Sequence, residues 1–135
     1  MQSSTTSFCF DEPAPATSLA AVAEVPSDIA TKAALLDELY GRLRFPEYFG
    51  DNWDALDECI RDLSWLPPGA VIVKHADLPL VGDVANLKTY LSILRDAVQK
   101  WLDSEERDLI VVFPSECQEQ IAWLLRSAAR DAEAQ

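Results

Sequence analysis

A run with no polar residue in it, Leu109-Ile-Val-Val-Phe113, constrains the fold of this chain more than any other feature. A strand with one face in water alternates apolar and polar side chains, because successive residues point to opposite faces. A run without alternation, rich in β-branched residues and stopped by Pro114, needs cover on both faces, and the usual cover of a parallel sheet is helical. Ala70-Val-Ile-Val73, after the turn residues Pro67, Pro68 and Gly69, reads as a second buried strand. Leu19 to Val25, small and β-branched and ended by Pro26, reads as a third.

Helical patterns lie between these strands. Ile29 to Leu43 carries Leu35, Leu36, Leu39, Tyr40 and Leu43 at helical spacing, with a start expected between Ser27 and Thr31. Pro46 and Gly50 punctuate a loop, after which Asp51 and Asn52 are N-cap candidates for a helix over Trp53 to Leu63. Val84 to Leu102 repeats Leu87, Leu91, Leu94, Val98 and Trp101 and ends in Asp103-Ser-Glu-Glu106. Ser115 opens a last helix carrying Ile121, Trp123, Leu124, Leu125 and Ala128, expected to fray from Asp131 to Gln135. Helices alternating with short apolar strands predict an α/β layer with a mainly parallel sheet. Residues 1–18, rich in Ser, Thr and Pro, are expected to be an extension, flexible or docked, in which Ser7-Phe-Cys-Phe10 suits an edge strand or a docked arm. Residues 19–135 then form one domain, large enough for a core without disulfides or metal.

The charge narrows the partners. Eleven Lys and Arg against 23 Asp and Glu give a formal net charge of -12. Such a surface repels phosphate backbones and anionic lipid, so direct nucleic-acid binding is disfavoured, and it steers basic partners or cations inward. Cys9, Cys59 and Cys117 are far apart, form no CxxC pair and have one histidine for company. They are read as reduced structural thiols rather than a zinc site. No apolar run reaches membrane-span length, and Met1-Gln-Ser-Ser-Thr-Thr-Ser7 lacks the basic and apolar regions of a secretion signal, so a cytoplasmic protein is expected.

On a helix from Trp53, the residues Trp53, Leu56, Ile60 and Leu63 share an apolar stripe, while Asp54, Glu58 and Asp62 recur one turn apart on another. Asp57 and Arg61 flank the acidic stripe. One reading is a solvated face opposite a core stripe, with Asp51 and Asp54 favoured by the positive helix end and nothing bound. The other is recognition: a cluster of carboxylates accepts bidentate bonds from arginine and fits a cationic groove where phosphate would bind.

The segment Phe45-Pro-Glu-Tyr-Phe-Gly-Asp-Asn-Trp-Asp-Ala-Leu-Asp-Glu-Cys59 resembles the P-E-Y-[YF]-G-x-N-x-D-A-L stretch of the barstar family. The likeness reaches back to Leu19 and, more loosely, forward through Leu94-Arg-Asp-Ala97 to Phe113. It implies a three-stranded parallel sheet covered by helices, here with an added C-terminal helix, and an inhibitor, not an enzyme, needing no cofactor. Its partner would be a secreted or toxin-like ribonuclease, barnase-like and guanyl-specific, whose basic active site is blocked by carboxylates acting as phosphate mimics. A monomer is expected. Residue by residue, the resemblance implies that Tyr48 packs beside the target's catalytic histidine loop, that Gly50 and Asn52 form the turn before the helix, and that Asp54 meets basic residues. Glu58 falls at the principal phosphate-mimicking position, where the family's namesake has the shorter aspartate. Asp57 replaces an aromatic contact, and Arg61 adds a charge that can pair with Asp57 or Glu58. Asp96 matches a peripheral carboxylate.

Trp53 suits both packing and anchoring of that loop; Trp101 and Trp123 are read as core, and Trp65 as a rim contact. His75, at the exposed end of its strand, lacks a nucleophile that would make it a general base. Cys59 is read as a small buried residue. Two other functions stay open: an immunity protein of the same fold against a different toxin, and a metal-dependent hydrolase using Asp54, Glu58 and Asp96.

Overall fold

The computed structural model describes residues 8–16, 18–46 and 52–134, with side chains as far as Asp131. In chain order the elements are β1 (Cys9–Phe10), β2 (Leu19–Val25), α1 (Lys32–Arg42), α2 (Trp53–Asp62), β3 (Gly69–His75), α3 (Val84–Trp101), β4 (Arg107–Phe113), a 3-10 turn (Ser115–Cys117) and α4 (Gln118–Ala134). The α/β class and the parallel sheet are as expected, but the sheet has four strands, ordered β1-β4-β3-β2, rather than three. The extra strand is the Phe-Cys-Phe segment. Cys9 and Phe10 pair in parallel with Val112 and Phe113, and Phe8 packs its ring 5.4 Å from that of Phe113. Asp11 fastens the turn that follows: its N–H donates to Phe113 O and its carboxylate accepts from the Ser115 N–H, both at 2.8 Å.

The expectation that helices cover both faces of β4 needs correction. Leu109, Val111 and Phe113 join Val71 and Val73 in the main core beneath the helices. Ile110 and Val112 point the other way and gather with Ala70, Cys9 and Ile72, all strand residues. β1 and β2 are parallel and lie at opposite edges of the sheet, and Ala14 and Pro15, which follow β1, border one cavity with Cys9, Asp108 and Ile110 and with Val98 and Trp101 of α3. Strand residues, rather than a helix, make up this second cluster.

Local chemistry sets the helix ends. Thr31 caps α1 by accepting from the Ala34 N–H at 3.2 Å. Asn52 caps α2 by accepting from the Ala55 N–H at 2.8 Å. Asp83 caps α3 at Asn86. Each cap satisfies one of the N–H groups that a helix start leaves without a partner, an effect of about 1 kcal/mol. Leu35, Leu36 and Leu39 of α1 and Leu87, Tyr90, Leu91 and Leu94 of α3 are fully buried, each such side chain contributing roughly 1.5–3 kcal/mol over exposure. The last helix begins after a 3-10 turn rather than at Ser115, and it runs through Asp131 to Ala134.

Three aromatic assignments change. Trp123 is 51% exposed, not core. Trp65 faces inward, donating its indole N–H to Leu43 O at 3.0 Å and meeting the Phe45 ring edge-on. His75 lies within β3 and is buried, its ring stacked on Phe113 at 4.0 Å.

Candidate functional site

Both ends of α2 are tied to other elements. At its start the Trp53 indole N–H donates to Asn86 Oδ1 at 2.8 Å, and the Asn86 amide donates to Asp83 Oδ2 at 2.7 Å. The Trp53 ring also approaches Tyr90, with centroids 6.1 Å apart. At its end the unpaired carbonyls of the last turn find three donors. Trp101 Nε1 donates to Ile60 O at 3.0 Å, Lys100 Nζ to Arg61 O at 2.6 Å, and Arg107 Nη2 to Leu63 O at 3.1 Å. Cations there also meet the negative end of the helix dipole. None of Asp83, Asn86, Lys100 or Arg107 stands out in the sequence as a site residue. The signal available was the Asp83–Asn86 spacing before an apolar helix, a capping pattern.

With Leu56, Cys59 and Ile60 buried against the core, helical geometry turns Asp54, Glu58 and Asp62 outward. All three are exposed and none carries an ion pair among the described residues. Asp57, half-buried, is already engaged: Arg61 Nη2 lies 2.9 Å from its carboxylate. Of the two pairings open to Arg61, the one with Asp57 forms. The Cys59 thiol has its pKa raised by burial first and then by the charges of Asp62 and Glu58, which leaves it protonated and inert.

Asp54 and Asp57 border a groove that also contains Asp96 of α3; Glu58 and Arg61 lie on α2 outside its lining. Asp96 is exposed and pairs with the adjacent Arg95 at 3.2 Å. Asn52 spends its side chain on the cap, and Trp53 anchors the helix. Tyr48 and Gly50 lie outside the described residues, as does Asp51.

His75 is not at this site. Val112 O only accepts, so the Nδ1 at 2.9 Å carries the proton, and Nε2 accepts from the Tyr90 hydroxyl at 2.7 Å. Both nitrogens are satisfied. Among the described residues no group of three or more His, Cys, Asp or Glu side chains could hold a metal ion, and no helix is long and apolar enough to cross a membrane.

The model of one protein family, described as barstar (barnase inhibitor), matches residues 21–114. The chain belongs to the barstar family. The match runs from β2 to the end of β4 and so takes in α2, α3 and the acidic face, while β1 and α4 fall outside it. A comparison with curated proteins gives no match. The barstar-family region is thus three of the four strands, β2 to β4, with the first three helices, and its description is that of an inhibitor.

Proposed function

We propose that this protein is an inhibitor that blocks the basic active site of a microbial ribonuclease with Asp54 and Glu58 of α2, while Asp96 meets the rim. The observation that carries the reading is the condition of those two α2 carboxylates: exposed, one turn apart, free of ion pairs among the described residues, and borne on a helix tied at both ends. Carboxylates in that state keep their lone pairs for arginine and lysine, and a helix already fixed loses little entropy on binding. The family description supports a ribonuclease as the partner class. A net charge of -12 supports fast, salt-sensitive association with a basic cleft and disfavours RNA itself. Tyr48 and Gly50 belong to the same proposed contact surface, Asn52 and Trp53 support it from within, and Asp57 contributes less because Arg61 holds it. The reading also puts the inhibitor in the cytoplasm, where its three cysteines stay thiols.

The test is inhibition of RNA cleavage across a panel of microbial guanyl-specific ribonucleases. Asp54→Ala and Glu58→Ala are each expected to weaken binding by about 2 kcal/mol or more, roughly 30-fold. Asp57→Ala should cost less than about 1 kcal/mol, and Arg61→Ala should tighten binding by releasing Asp57. If the unaltered protein neither inhibits nor binds any member of the panel, the proposal is wrong.

The Asp57–Arg61 pair favours a second reading of the target within the same fold. Where the family's namesake offers an aromatic contact, this chain offers a neutralised ion pair, which suits a surface unlike that of barnase. An immunity protein against a different toxin would show complex formation with that toxin and none with barnase.

A further inference from the structure

Helix α4 lies outside the family-matched region and carries a face that the proposed binding site does not use. Ile121, Leu124 and Leu125 are buried in the core. On the opposite side of the helix Glu119, Trp123, Arg126 and Arg130 form an exposed stripe at steps of four, three and four residues, the spacing that keeps side chains on one helix face. Among the described residues Glu119, Arg126 and Arg130 make no ion pair. The two arginines, one turn apart, repel each other. Trp123 stands between them and Glu119, half exposed, and tryptophan and arginine are the residues that most often anchor protein contacts. Ala128 and Asp131 of α4 line the groove beside the acidic face, whereas none of the four stripe residues does.

We propose that this stripe binds the same stripe on a second copy of the chain, the two α4 helices lying antiparallel across a twofold axis. The stripe's charge complementarity with itself decides the occupant. With the axis between Trp123 and Arg126, Glu119 faces the second copy's Arg130 and Trp123 faces the second copy's Arg126, and the symmetry makes each contact twice. Two carboxylate-guanidinium pairs then flank two central cation-π contacts. Ala122 and Ala129, beside the stripe, are too small to hold a second helix away. Other arrangements of the two helices lose these contacts. Parallel helices set Glu119 on Glu119 and Arg126 on Arg126. An antiparallel register shifted by one heptad either sets Arg126 against Arg130 or carries Arg130 past the start of the opposite helix. A partner acidic throughout would meet Glu119 as well as the arginines. Helix α4, with two arginines against Glu119, Asp131 and Glu133, is also nearly neutral in a chain of net charge -12, so two copies approach there with little local repulsion. One helix face buries less than the roughly 1,200 Å² of a standard interface, so the dimer is weak and the expected monomer gives way to it only at high concentration. The pairing stands apart from the inhibitor reading.

Sedimentation equilibrium on the full chain, from micromolar to millimolar concentration, tests this. The unaltered protein is expected to pass from monomer to dimer across that range. Trp123→Ala and the charge reversals Glu119→Arg and Arg130→Glu, all at exposed positions, are each expected to weaken the dimer about tenfold or more while circular dichroism shows the fold retained. Mixed in equal amounts, the two reversals place opposite charges at both outer pairs, and the mixture should dimerise within about threefold of the unaltered protein. That recovery is not expected if the reversals act only by damaging α4. A chain that stays monomeric throughout overturns the proposal, as does a dimer that survives both reversals. A mixture that fails to recover overturns the antiparallel pairing. Binding of a polyglutamate peptide at Trp123 by a chain that remains monomeric overturns the second copy as the occupant and assigns the stripe to an acidic partner.

Discussion

Replacing Arg107 with alanine is expected to lower the free energy of unfolding by about 3–5 kcal/mol, the range for removing one member of a buried, satisfied polar arrangement. Arg107 opens β4 and is 7% exposed. Its Nη1 donates to Pro67 O and Gly69 O, both at 2.9 Å, and its Nη2 to Leu63 O at 3.1 Å and Leu66 O at 3.2 Å. Burial pulls its pKa below the ordinary value, with Glu106 opposing, but the surrounding carbonyls keep a guanidinium charged. These carbonyls belong to the turn between α2 and β3, where Leu63 takes a left-handed conformation at φ 51°. Gly69 takes φ +128°, and a Cβ there would lie 2.9 Å from Ser18 Oγ. Without the guanidinium the turn loses its common donor, and the carboxyl end of α2 loses one of its ties. Arg107→Lys should recover less than half of the loss, since an ammonium cannot reach four carbonyls in the geometry of a fork. Urea unfolding measures both variants. A loss under about 1 kcal/mol for the alanine variant would mean that water replaces the guanidinium without penalty.

Acidification should remove the contribution of His75. Burial drives its pKa down from 6.5 to about 4, although the bond to Val112 O works the other way. Between those two values the unfolded chain holds a proton that the folded one refuses. Stability from His75 is therefore complete above pH 6.5, declines as the pH falls, and is gone below pH 4. The difference in pKa corresponds to about 3 kcal/mol. Protonation at Nε2 would oppose a Tyr90 hydroxyl that now donates to it, and neither ring nitrogen has a carboxylate partner among the described residues. Many carboxylates titrate over the same range, so the measurement is a difference: unfolding free energies of the unaltered protein and of His75→Gln at pH 7, 5 and 4. The gap between the two should close by about 3 kcal/mol on going from pH 7 to pH 4. Parallel curves would exclude it, as would an imidazole resonance that titrates near 6.5 in the folded protein.

Much of the fold was legible because it follows from period and punctuation. The leucines of α1 and α3 recur at helical spacing, Asn52 and Asp83 stand where caps belong, and the β-branched runs of β3 and β4 sit between turn residues. The acidic stripe was legible for the same reason: once Trp53, Leu56 and Ile60 face the core, Asp54, Glu58 and Asp62 have to face away. What misled was cover supplied from far along the chain. Ile110 and Val112 look like residues beneath a helix, yet the residues they cluster with belong to strands, Cys9 of β1 among them. Trp123 has the spacing of a core residue, but α4 docks along α3 at a rotation that leaves its ring 6.0 Å from Lys88 at the surface. Arg107 reads as a charge at the start of a strand, because the carbonyls it meets are about 40 residues away.

The sequence by itself determined strands β2 to β4 and the helices, the parallel α/β class, the family segment from Phe45 to Cys59 and the outward acidic stripe of α2. Each of these depends on neighbours within a turn or two, so local pattern is sufficient. The tertiary structure alone decided the fourth strand, the burial of His75 and Arg107, the pairing of Arg61 with Asp57 that leaves Glu58 without an ion pair among the described residues, and the groove that α4 makes with α2 and α3. Those depend on the angle and rotation at which distant elements meet, and spacing along the chain carries no record of that geometry.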